Sequence, residues 1–142
     1  MLKGDCCMRF EDFKIKYAET MMYYQMIEHD VKLIYSYMHQ GNIDDNYDSI
    51  ENKTLGVMLR KLKELDESDG VPYINSQDYN FLIQICDNRN HWAHKVFSEF
   101  IYEQNFEKSK EYKRQCEKLE KDCKRVYNAA RILEEIRIEY CS

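Results

Sequence analysis

The chain has 142 residues, of which 44% are apolar and 33% charged, a balance that excludes a disordered polypeptide and suits one domain, 1–142, with a core of its own. Basic and acidic side chains number 6 and 10 in residues 1–53, 5 and 8 in 54–104, and 10 and 8 in 105–142, for a net charge of −5. That distribution argues against a duplex-DNA binder held mainly by phosphate neutralisation, and only the C-terminal third is locally basic.

One proline and four glycines leave little to interrupt helices, so the expectation is an all-α protein. No stretch approaches the roughly 20 uncharged apolar residues needed to cross a bilayer, and Met1-Leu2-Lys3-Gly4-Asp5 lacks a secretory apolar region. The expectation is a cytoplasmic protein with no membrane partner.

From Phe10 to about Met38, residues Phe10, Phe13, Tyr17, Met21, Tyr24, Ile27, Val31, Ile34 and Met38 recur at three and four, which predicts one long amphipathic helix. Gly41-Asn42 ends it, and the Asp- and Asn-rich segment from Ile43 to Lys53 reads as a loop. Thr54 is the expected N-cap of a second helix with Leu55, Met58, Leu59, Leu62 and Leu65 on one side, stopped by Ser68-Asp69-Gly70 and Pro72. Ser76 is read as the cap of a third helix that runs through Phe81, Leu82 and Ile85 to Phe100 and Ile101. After a break near Glu103-Gln104-Asn105 the last helix carries Tyr112, Cys116, Leu119, Cys123, Val126, Ala130, Leu133, Ile136 and Tyr140 as a stripe. Four such segments should pack antiparallel as an up-and-down four-helix bundle.

None of the six cysteines, Cys6, Cys7, Cys86, Cys116, Cys123 and Cys141, forms a C-x-x-C pair, so neither a disulfide frame nor a zinc site is signalled. Cys116 and Cys123 read as small packing residues. Lys108, Lys110, Lys113, Arg114, Lys118, Lys121, Lys124 and Arg125 read first as a solvated face of the last helix, with a phosphate track as the second reading.

The informative stretch is Cys86-Asp87-Asn88-Arg89-Asn90-His91-Trp92-Ala93-His94. Leu82, Cys86, Ala93, Val96 and Phe100 mark a buried face, and Arg89 falls on it. A guanidinium stays charged in a protein, so Arg89 must find an acceptor, reach solvent through a cleft, or serve chemistry. The plain reading is an ion pair with Glu28 or Asp30 of the first helix. On an ideal helix Arg89 and His94 stand about 140° apart, at roughly 100° per residue, whereas Asn90 and His94 face together. Asn90 and His94 should therefore edge a cleft that Arg89 enters from the more buried side. His91 is read as solvent-facing, a reserve candidate, and Trp92 as a packing residue at a helix or dimer contact.

Arginine, a polar residue and a histidine four to six positions on, in a small helical protein, resembles the motif of the HEPN (higher eukaryotes and prokaryotes nucleotide-binding) domain family. Arg89-Asn90-His91-Trp92-Ala93-His94 looks like its common form, and Thr54-Leu55-Gly56-Val57-Met58-Leu59 is similar to the helix that precedes the motif in small bacterial members, so the likeness spans most of residues 54–101. The resemblance implies a metal-independent endoribonuclease needing no cofactor, the toxin of a toxin–antitoxin pair or a phage-defence effector, with a site shared across a homodimer, an RNA substrate and often a nucleotidyltransferase-like antitoxin. It implies that Arg89 and His94 are catalytic and Asn90 their supporting neighbour. Chemistry agrees on its own terms, since a histidine can move the protons of phosphodiester transfer and an arginine suits the charge of the phosphate. The competing expectation is a non-catalytic helical dimerisation or interaction module in which Arg89 is an ion-pair residue.

Overall fold

The computed structural model describes residues 8–142; Cys6 and Cys7 lie outside them. Among the described residues the regular structure is all helical: α1 Phe10–Met38, α2 Ile43–Ile50, α3 Leu55–Glu67, α4 Ser76–Asp87, α5 Arg89–His94 and α6 Lys110–Tyr140. Single 3-10 turns lie between α5 and α6, at Phe97–Glu99 and Phe106–Lys108.

Helix α1 is the hub. It packs along α6 and α3, while α4 touches both α3 and α6, so that α1, α3, α4 and α6 enclose the core. That core takes Tyr24, Ile27, Val31 and Ile34 from α1, Met58, Leu59 and Leu62 from α3, Leu82 and Ile85 from α4, and Leu119, Val126 and Leu133 from α6, all nearly sealed from solvent. Cys116 and Cys123 are buried as packing residues. At one end, Phe10 and Phe13 stack, and with Phe97, Phe100, Phe106 and Tyr112 they otherwise meet edge to face or tilted, Phe10 and Phe106 5.0 Å apart and Phe100 and Tyr112 5.1 Å apart. Such ring pairs add about 0.5–1.5 kcal/mol each beyond area burial. They hold the irregular segment after α5 that carries no regular hydrogen-bond ladder of its own.

The structure departs from the sequence reading in three places. Residues 43–50 are helix rather than loop: Asn42 caps α2 by accepting from the Asp45 N–H at 3.1 Å, Asp44 and Asp45 suit the helix dipole, and Asn46 donates to the Ser36 and His39 carbonyls at the end of α1. Asn75, not Ser76, caps α4, its side chain accepting from the Asp78 N–H at 2.8 Å. The third helix does not run on through the motif. It breaks at Asn88, where the Ile85 carbonyl accepts from the Asn88 N–H three residues on and from the hydroxyl of Tyr24, which reaches across from α1 at 3.0 Å. A side chain inserted into the helical ladder is a recognised cause of a kink.

Thr54 does cap α3, accepting from the Val57 N–H at 3.4 Å. Thr54→Ala is expected to lower stability by about 1 kcal/mol, read as a fall in the midpoint of urea unfolding at unchanged slope. The α3–α4 connection is tied by the buried Asp66 carboxylate, which accepts from the Tyr73 and Ile74 N–H groups and from the Tyr79 hydroxyl at 2.7 Å. Burial and this carboxylate push the Tyr79 phenol well above its ordinary range.

Candidate functional site

The break at Asn88 positions the site. Ended by the Tyr24 contact, α4 hands over to the short helix α5, whose far end is fixed by Tyr17, donating to the Trp92 carbonyl at 2.6 Å. Two tyrosines of α1 thus grip the backbone on either side of Arg89. Trp92 is sealed in the core beneath, its indole N–H donating to the buried Asp122 at 3.0 Å. Trp92 is a packing residue inside one chain.

On the other side of α5 a cleft of about 390 Å³ opens between α3, α4 and α5, and Arg89, Asn90 and His94 all line it. Asn90 and His94 are exposed at its edge, whereas Arg89 is half-buried. The Arg89 guanidinium stands 3.9 Å from Glu28, at the outer limit of an ion pair, with the arginine side chain 29% exposed and its Nε buried without a hydrogen-bond partner. Of the two carboxylates considered for it, Asp30 is taken by Arg137, at 2.9 Å. Arg89 is therefore neither sealed in a tight pair nor fully hydrated, and the Nη donors of its part-exposed guanidinium remain for an acceptor in the cleft it lines.

The opposite wall comes from the first turn of α3, with Thr54, Leu55 and Gly56, and from Arg60 one turn on. Arg60 is exposed and makes no ion pair among the described residues. Sequence reasoning passed over it; the available signal was its place four residues after Gly56 in the helix that resembles the one preceding the motif. A Cβ on Gly56 would meet the Cys86 sulfur at 3.5 Å and the Arg60 Nη1 at 3.8 Å, ordinary contact distances. Gly56→Ala should thus be accommodated and raise the unfolding midpoint, by up to about 1 kcal/mol of stability from helix propensity, whereas Gly56→Leu would fill the cleft.

Cys86 lines the same cleft. Burial pushes its thiol up, Asp87 adds to the rise, and the guanidinium groups of Arg89 and Arg60 oppose it, so Cys86 is a wall rather than a nucleophile. His91 is not solvent-facing: it turns to α6 and pairs with the Gln115 side chain at 2.7 Å, and Gln115 in turn donates to Glu111 at 2.9 Å. The reserve candidate is on the wrong side of α5 to reach the cleft lining. Among the described residues no group of three or more His, Cys, Asp and Glu side chains is arranged to hold a metal ion, and no helix is long and apolar enough to cross a membrane.

What the fold and the cleft define is an all-helical domain presenting two arginines, an asparagine and a histidine around one concavity. Comparison with protein-family models, curated proteins and solved structures found no match.

Proposed function

We propose that this chain is a metal-independent endoribonuclease of HEPN type, built on an up-and-down bundle of α1, α3, α4 and α6 and active as a cytoplasmic homodimer. One observation carries the reading: Arg89, Asn90 and His94 line one open cleft, with the Arg89 guanidinium loosely held at 3.9 Å from Glu28 and part of it lacking any partner. The reaction that fits is transfer of the phosphodiester to the substrate's own 2′-hydroxyl. The 2′-oxygen loses its proton and bonds to phosphorus, the bond from phosphorus to the 5′-oxygen breaks, and that oxygen leaves protonated, giving a 2′,3′-cyclic phosphate and a 5′-hydroxyl. His94 moves a proton, the Arg89 guanidinium balances the charge that builds on the phosphorane, and Asn90 orients the phosphate. The step is balanced with these groups and one further acid or base, which a second copy's His94 supplies when a two-fold axis brings the two clefts together.

Such an enzyme serves as a toxin or a phage-defence effector, restrained by a nucleotidyltransferase-like antitoxin. The direct test is incubation of the purified protein in chelator with labelled RNA and with the same strand carrying a single 2′-deoxyribose at the cleavage point. Cleavage of the first to a cyclic phosphate and survival of the second is the expected pair of results; an intact ribose strand sinks the proposal.

The Arg89–Glu28 contact favours the second reading, an interaction module in which the pair ties α5 to α1. On that reading Arg89→Gln lowers the unfolding temperature, and Glu28→Gln lowers it at least as much, because Glu28 also pairs with the buried Lys32 at 3.3 Å. On the ribonuclease reading Glu28→Gln retains RNA cleavage and Arg89→Gln does not.

A further inference from the structure

Four of the nine basic side chains of α6 line up. Arg114, Lys118, Lys121 and Arg125 recur at four, three and four, which places them on one face over about 16 Å of helix. They border a second groove of about 460 Å³ whose far edge is Asn88, the residue at the break immediately before Arg89. The first groove and this one thus flank the same α4–α5 junction, one on the α3 side and one on the α6 side. Arg125 is anchored over that junction, donating to Gln84 of α4 at 3.2 Å and lying 5.8 Å from the Phe81 ring centroid.

The two carboxylates within this groove differ. Asp122 is buried and occupied by the Trp92 indole N–H and by Lys118 at 3.5 Å, so it helps to hold Lys118 in place and presents little negative surface. Glu117 is the exposed one. Arg114 pairs with Glu111 at 2.8 Å, with the arginine 70% exposed and donors to spare. Lys121 is exposed and makes no ion pair among the described residues. In a chain of net charge −5, a straight row of four cations is a local inversion of sign that a polyanion would find. The row contains no apolar member to insert into a bilayer, as a membrane-surface helix would have.

We infer that this α6 row binds the phosphates of single-stranded RNA and feeds the strand across Asn88 into the Arg89–His94 cleft. The inference deepens the ribonuclease reading and rests on it for the identity of the ligand. Four cations over about 16 Å of helix match a few successive phosphates of one strand, and the adjoining cleft is the place where that strand would be cut.

The test is fluorescence anisotropy of a labelled 2′-O-methyl RNA strand, which cannot be cleaved, against the full-length protein and its R114Q/K121Q/R125Q variant from low to physiological salt. These three side chains are exposed or partly exposed, and circular dichroism checks that the variant is folded. Single strands lose affinity with a slope of about −0.7 in log K against log salt for each phosphate contact, so removing three contacts should flatten the slope by about two and weaken binding on the order of tenfold or more. Cleavage of ribose RNA by the variant should show a raised KM and unchanged kcat. Equal slopes and equal affinity in the two proteins overturn the inference, as does affinity for phosphatidylserine vesicles in place of RNA. A wild-type protein that binds the strand with the full slope yet cuts no RNA defeats the ribonuclease reading and leaves the track standing; cleavage with equal KM in both proteins does the reverse.

Discussion

His94→Ala is expected to abolish RNA cleavage, by a factor on the order of 10² to 10⁴, the range that a positioned proton donor or acceptor contributes, while the circular dichroism spectrum and unfolding midpoint stay those of the parent. His94 is exposed at the cleft edge, outside the core on which the fold depends, so loss of activity would not reflect loss of structure. Arg89→Lys should fail as well, because an ammonium is a point charge and does not reproduce the planar fork with which a guanidinium meets a phosphate. Mixing the parent with His94→Ala separates the composite site from a site within one copy. If the step uses the His94 of both protomers, a mixed dimer holds one histidine and is dead, so excess His94→Ala suppresses the parent's activity. If each protomer's own residues suffice, the mixed dimer keeps one working site and half the parental activity. Cleavage by His94→Ala at the parental rate would remove the histidine from the mechanism.

The long elements were legible because they are long. Helices α1 and α6 keep an apolar stripe for about eight turns without proline or glycine, so tertiary packing and local periodicity agree, and the bounds read from sequence for α1 coincide with those of the fold. Helix α2 hid behind its composition: Ile43, Tyr47 and Ile50 do keep helical spacing, but the intervening Asp and Asn residues also favour turns, and what decides for helix is capping by Asn42 and stitching by Asn46 to the end of α1. Asn75 and Ser76 are both competent caps, and the register of α4 chooses between them.

The break at Asn88 had only a weak local signal, the turn-favouring pair Asp87-Asn88. No glycine or proline marks it, and its cause is the Tyr24 hydroxyl, which reaches Ile85 from 61 residues away in the chain. This is also why the site was only partly readable. The residue types Arg89, Asn90 and His94 stood out because a permanent charge on an apolar face demands a reason. Arg60 did not, because an exposed arginine on a helix demands none, and only the fold turns it toward the same cleft. His91 looked solvent-facing because its partner Gln115 lies 24 residues on, across the turn into α6.

Trp92→Ala is expected to be the most damaging substitution outside the cleft. Truncating a fully buried aromatic side chain costs about 3–5 kcal/mol, and a domain of ordinary stability has only about 5–15 kcal/mol in total. At roughly 4 °C per kcal/mol for a chain of this size, the unfolding temperature should fall by about 12–20 °C. The cavity is one part of the loss. The other is the indole N–H, the donor that Asp122 accepts from inside the core, which leaves that 4%-exposed carboxylate with Lys118 as its remaining cation. Trp92→Phe isolates the second part: it retains most of the volume, withdraws the donor, and should cost about 1–3 kcal/mol. Asp122→Asn should then cost less when combined with Trp92→Phe than it does in the parent, because the contact it would weaken has already gone. Since Trp92 sits between Arg89 and His94 on the short helix α5, the alanine variant should also lose cleavage at temperatures where its helices persist. Calorimetry of the parent and these variants decides the point. A Trp92→Ala midpoint within a few degrees of the parent would mean that the Tyr17 hydroxyl and the His91–Gln115 contact suffice to hold α5, and that the indole is not the anchor on which the cleft depends.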